Sequence, residues 1–133
     1  MTLEELGAEL PNGLHDARLW DFSSDELRAQ ANFVLDVWLG DLHAANTADR
    51  ERRRRGRLEL TGLTYLVVDG PDPRYPLSKG SPVQIDPCAA DDDPERARQI
   101  PPGGFAGRFF VTEWNAFIHF AAVDAHLTWV DAN

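Results

Sequence analysis

The stretch AQANFVLDVWL, residues 29–39, decides the fold class. Ala31, Phe33, Leu35, Val37 and Leu39 share one parity, while Gln30, Asn32 and Asp36 take the other. Successive side chains of a strand point to opposite faces, so this segment is a half-buried antiparallel strand, ended by Gly40 and Asp41. Working towards the N-terminus, His15 to Phe22 is a second strand whose alternation breaks. Ala17 and Leu19 lie on one parity, Trp20 and Phe22 on the other, and a bulge near Trp20 reconciles the two sets. Asn12-Gly13 is a turn signal. Before it, Thr2 and Glu5 fit a capping box, and Leu3, Leu6 and Leu10 recur at helical spacing until Pro11, which predicts a short helix or ordered extension over residues 1–10.

Towards the C-terminus, residues 42–56 lack a usable apolar face and are expected to form an Arg-rich loop with at most one helical turn. Leu58 to Val68 crowds β-branched and aromatic residues on both parities, which predicts one central strand buried on both faces over its second half. Asp69-Gly70-Pro71-Asp72-Pro73 breaks the chain and opens a Pro/Gly/Asp-rich excursion over 69–104. Within that excursion only Pro82 to Ile85 is expected to be strand, at an edge, and Asp93-Pro94-Glu95 starts a brief helix. Phe105 to Val111 reads as a strand. Residues 113–123 fit a hairpin return, with Ile118 and Phe120 opposite Phe117, His119 and Ala121; Trp114, Phe117, Ile118, Ala121 and Ala122 also fit an amphipathic helix. Strand is favoured, because Phe117, Ile118 and Phe120 suit a pleated surface. Leu127 to Val130 closes the chain as a final strand. The expected fold is a single mainly β domain, an antiparallel sandwich or strongly curved sheet of five to seven strands with one or two short helices.

The 133 residues carry 13 basic and 22 acidic side chains, a net charge of -9, which opposes binding to phosphate backbones. Residues 50–57 hold six of the basic groups and one acid, so the rest of the chain carries 7 positive and 21 negative charges. A single cysteine, Cys88, an acidic N-terminus and the lack of an apolar run of about 18 residues lead to the expectation of a cytoplasmic protein without a membrane partner.

Three runs carry a resemblance: LPNGLHDARL at 10–19, FFVTEWNAFI at 109–118 and DAHLTW at 124–129. They resemble small bacterial domains that open on a "hHDAxh" signature, which are similar to immunity proteins of bacterial polymorphic toxin systems. The resemblance implies a protein that binds and blocks a toxin made by the same cell, with no established enzymatic activity.

Candidate sites follow from charge and aromatic placement. Arg52, Arg53, Arg54 and Arg55 form a basic pole that either grips an acidic partner or pairs with the protein's own acidic surface. Asp91, Asp92, Asp93 and Glu95 form the opposite pole, either a solvated loop or a docking patch for a cationic partner. Trp38 lies opposite the Phe33-Leu35-Val37 face and is the expected exposed interface anchor, whereas Trp20, Trp114 and Trp129 are expected in the core. His15, Asp16, Trp114 and His119 are the elements of a pocket if the first and last strands meet. The competing assignment makes His15 a strand cap and Asp16 an acceptor in the preceding turn. No HxH, HExxH or CxxC spacing points to a metal, and no nucleophile sits beside a base, so neither cofactor nor catalytic residue is expected. The leading expectation is a non-catalytic protein-binding domain, a monomer or weak homodimer, with another protein, such as a toxin domain, as partner. The alternatives are a small-molecule-binding or hydrolytic domain at the His15/His119/Trp114 pocket and a structural module that assembles through an edge strand.

Overall fold

Alternation over residues 29–39 produces the strand it predicts: β2, Gln30–Trp38, buries Ala31, Phe33, Leu35 and Val37 completely. The computed structural model describes residues 1–70, 74 and 81–130. Around β2 lie β1 (Ala17–Asp25) and β3 (Arg53–Thr61), followed in the chain by β4 (Tyr65–Val68), β5 (Val83–Ala89), β6 (Phe105–Val111), β7 (Ala116–Ala122) and β8 (Asp124–Trp129). All the pairings are antiparallel, in one eight-stranded sheet of order β4-β7-β6-β5-β1-β2-β3-β8. The mainly β class is as the sequence predicts, with eight strands in place of five to seven.

Phe33 on β2 shows how strongly this sheet curves. Its ring centroid lies 5.5 Å from that of Phe109 on β6, three strand positions away, a separation of about 14 Å on a flat sheet. Phe120 on β7 closes the cluster, 4.9 Å from Phe109 and 6.5 Å from Phe33. The inner face therefore folds onto itself. Its mouth is covered by α1 (Leu3–Ala8), where the Thr2–Glu5 capping box forms and Leu3, Leu6, Leu10 and Leu14 pack on the core.

Several departures from the sequence expectations share this curvature as their cause. The stretch Leu58 to Val68 is two strands at opposite ends of the sheet, β3 beside the β8 edge and β4 as the other edge. Gly62 makes the break: it has φ +64°, and a Cβ there would lie 2.6 Å from the Val123 side chain. Val123 is also the single residue between β7 and β8, so both connections turn at the corner where the two ends of the sheet approach. The final strand accordingly begins at Asp124, not Leu127.

The arginine run is strand, not loop, from Arg53 onward; only Thr47–Arg50 forms the expected helical turn, α2. Arginines at 53, 55 and 57 occupy the solvent-facing parity, so no apolar periodicity advertises the strand. The expected edge segment Pro82 to Ile85 is the start of β5, which lies inside the sheet between β1 and β6. Its Pro87 is tolerated because pairing with β1 ends at Ala17↔Ile85, which leaves a ladder only on the β6 side. The brief helix expected at Asp93 forms as α3, Pro94–Ala97. Residues 113–123 adopt the favoured strand: a 3-10 turn at Thr112–Trp114 and left-handed Asn115 lead into β7. Pro71 to Pro73 of the predicted breaker lie outside the described residues.

Candidate functional site on the outer face of β1 to β3

Three cross-strand lines of register build the site. Arg18 on β1 faces Asp36 on β2, which faces Arg55 on β3; one step along, Trp38 faces Arg53, and in the other direction Val34 faces Arg57. All of these side chains lie on the outer face, opposite the core. The β1 register shifts between Leu19 and Asp21, which makes Trp20 the extra residue of a bulge. The bulge predicted from broken alternation is present, and it settles the fate of Trp20. Leu19 and Phe22 both point inward, and the indole between them is turned out, 44% exposed.

Trp20 is nonetheless held in place. Its Nε1–H donates to Asp36 Oδ2 at 2.6 Å, and the Arg55 guanidinium lies 4.8 Å over its ring. Arg55 also donates to both Asp36 oxygens, at 3.0 and 3.4 Å. Burial alone would raise the Asp36 carboxyl, but the hydrogen bonds from Arg55 and Trp20 outweigh it and hold the group below the ordinary aspartate value. The same bond raises Arg55.

The exposed-anchor assignment to Trp38 is therefore corrected. Trp38 is partly buried and donates its Nε1–H to the Arg50 carbonyl at 2.7 Å, pinning the 41–51 loop to β2. Exposure falls to Trp20 because of the bulge, while Trp114 stays by the core against Phe22, at 6.4 Å, and Trp129 lies partly buried under Arg54, at 4.7 Å.

Arg53 and Arg55 point to the outer face, whereas Arg54 alternates to the opposite side and Arg52 lines a depression between α1 and β8. Arg53 is partly buried and spends Nη1 on two main-chain carbonyls, Asp16 at 2.7 Å and Asp36 at 3.5 Å. Burial and then the like charge of Arg18 lower its pKa.

Asp16 is an anchor of the β1 start. Its φ is +56°, a left-handed backbone that aspartate tolerates better than most residues. Its N–H donates to Asp86 Oδ1 at 2.9 Å, its Oδ1 accepts from Gln84 Nε2 at 2.7 Å, and its carbonyl accepts from Arg53. Strand β1 starts at Ala17, leaving His15 in the turn with its imidazole largely exposed, 3.7 Å from Asp86.

The predicted pocket of His15, Asp16, Trp114 and His119 does not assemble. His15 borders an apolar depression of about 600 Å³ beneath α1, shared with Leu14, Pro87 and Cys88, and Asp16 borders a separate notch. Trp114 belongs to the core side. His119 is on the outer face of β7, buried, and is the one buried polar side chain among the described residues. Its Nε2 lies 3.1 Å from Asp69 and its Nδ1 3.7 Å from Asp91.

That contact also accounts for the acidic pole. Asp91 pairs with Arg96 at 2.6 Å, Asp93 caps α3 through the N–H groups of Glu95 and Arg96, and Glu95 pairs with Arg98 at 3.0 Å. Burial would raise Asp91, but the Asp93 N–H, Arg96 and His119 together lower it. Only Asp92 of the triplet is exposed without a hydrogen bond or ion pair among the described residues. The acidic loop thus satisfies its own helix and histidine, while the arginine strand carries the preorganised aromatic surface.

No group of His, Cys, Asp and Glu among the described residues has an arrangement that could hold a metal ion, and no helix is long and apolar enough to cross a membrane. Comparison of the chain with family models, with curated proteins and with solved structures finds no match in any of the three.

Proposed function

We propose that this protein is a non-catalytic binding domain that docks another protein on the outer face of β1 to β3, in the manner of the immunity proteins its motifs resemble. The observation that carries the proposal is Trp20: a 44% exposed indole, fixed by Asp36 and overlaid by Arg55. Tryptophan and arginine dominate binding energy at interfaces, and an anchor already held in one geometry loses little entropy on association. Arg18, Arg53, Arg55 and Arg57 share this outer face with it, which suits an acidic partner surface, while the net charge of -9 disfavours nucleic acid. The partner is a toxin domain encountered in the cytoplasm, and the free protein is a monomer or weak homodimer.

The test is co-expression with the product of the gene immediately upstream. Wild-type protein restores growth and co-purifies with that product, whereas Trp20→Ala does neither while remaining folded. A failure to associate, or protection that survives Trp20→Ala, contradicts the proposal.

A further inference from the structure

Beside Trp20 the outer face dips into a notch of about 560 Å³ between the start of β1, β5 and the 41–51 loop, bordered by Asp16, Arg18, Trp38, Arg53 and Gln84. Two guanidinium groups, those of Arg18 and Arg53, border it, and the carboxylate of Asp36, the cross-strand neighbour of Arg18, is already bonded to Arg55 and Trp20. Arg53 is bonded to main-chain carbonyls alone, and Arg18 makes no hydrogen bond or ion pair among the described residues. Of the two acids that border the notch, Asp16 and Glu51, Asp16 is engaged elsewhere. Its left-handed backbone presents its carbonyl to Arg53, and its carboxylate accepts from Gln84.

We propose that this notch is a binding subsite for a single carboxylate, supplied by an aspartate or glutamate side chain of the protein that docks around Trp20. Arginine forks match carboxylate geometry with paired N–H donors. The notch is lined by three arginines, Arg18, Arg50 and Arg53, and two acids, Asp16 and Glu51, a formal +1 that one carboxylate neutralises and a phosphate dianion overshoots. Burial and the like charge of Arg18 weigh on Arg53, and an anion between the two guanidiniums offsets the repulsion.

The identity of the occupant as a partner side chain rests on the docking proposal; the carboxylate chemistry is tested separately. N-acetylglutamate amide is titrated into the full-length protein at low ionic strength while the arginine Nε resonances are followed by NMR. The expected result is saturable shifts at Arg18 and Arg53 in the millimolar range, absent with N-acetylglutamine amide and weakened about tenfold or more by Arg18→Gln, an exposed change that spares the fold. Equal shifts at Arg57 and Arg98, an equal response to the glutamine probe, or tighter binding of inorganic phosphate overturns the carboxylate subsite. If Trp20→Ala abolishes partner binding but the probe leaves Arg18 and Arg53 unmoved, this inference falls alone. If the probe saturates both arginines but partner binding ignores Trp20, the docking proposal falls and the notch stands as a site for a free carboxylate.

Discussion

The Trp20 indole donates to Asp36 Oδ2 at 2.6 Å from one strand to the next, and the same carboxylate receives Arg55 from the strand beyond. One partly buried acid thereby fixes both an exposed aromatic ring and the cation that covers it. Asp36→Asn removes the charge that draws Arg55 and is expected to cost about 0.5–1 kcal/mol at pH 7. The figure is small because Arg55 is nearly half exposed and water screens the pair. The folded-state pKa of Asp36 lies below its unfolded value, so the pair's contribution is complete above the unfolded value of about 3.9 and is lost as pH falls through the lower folded value. Urea titrations of both proteins should show a difference at pH 7 that closes below about pH 4.

Phe33 touches Phe22, Phe109 and Phe120 and joins the two halves of the curved sheet. Phe33→Ala should destabilise by about 3–5 kcal/mol, the usual range for a fully buried phenylalanine. Chemical denaturation checks the value; a loss under about 1 kcal/mol would mean that the inner face does not close as described.

Gly62 occupies a left-handed turn against Val123. Gly62→Ala adds both backbone strain and a steric overlap, for an expected cost of about 2 kcal/mol. Thermal melts of Gly62→Ala alone and combined with Val123→Ala separate the two: the double variant should recover the steric part but not the strain.

His119 holds Asp69 and Asp91 from beneath. His119→Ala leaves these acids without their shared imidazole and opens a void at β7, at an expected cost of about 1–3 kcal/mol. Hydrogen exchange should quicken selectively over residues 91–97, because Asp91 anchors α3 through Arg96. Uniform acceleration across the sheet would instead assign His119 to the core alone.

Much of this architecture is legible in the residues. The alternation of Phe33, Leu35 and Val37, the capping box at Thr2 and Glu5, the Asp93-Pro94 helix start and the parity break at Trp20 each act locally, and each appears as expected. What escaped depends on partners distant in sequence. Arg53, Arg55 and Arg57 conceal a strand because their parity faces solvent, and Pro87 looks like an edge residue because nothing local reveals where β1 stops pairing. Trp38 and Trp20 exchange roles for a related reason: the 41–51 loop covers one, and the bulge ejects the other. The arginine pole was visible as composition, but its division between two faces required the register with β2.

The most direct test of the docking face compares affinities for the upstream gene product by calorimetry, using wild type, Trp20→Ala and the acidic-loop variant Asp92→Asn. Loss of an interface anchor costs about 2 kcal/mol or more, roughly thirtyfold in Kd. The expected result is a weakening of at least thirtyfold for Trp20→Ala and less than threefold for Asp92→Asn. The reverse ranking would place the interface at the acidic pole and contradict recognition through β1 to β3.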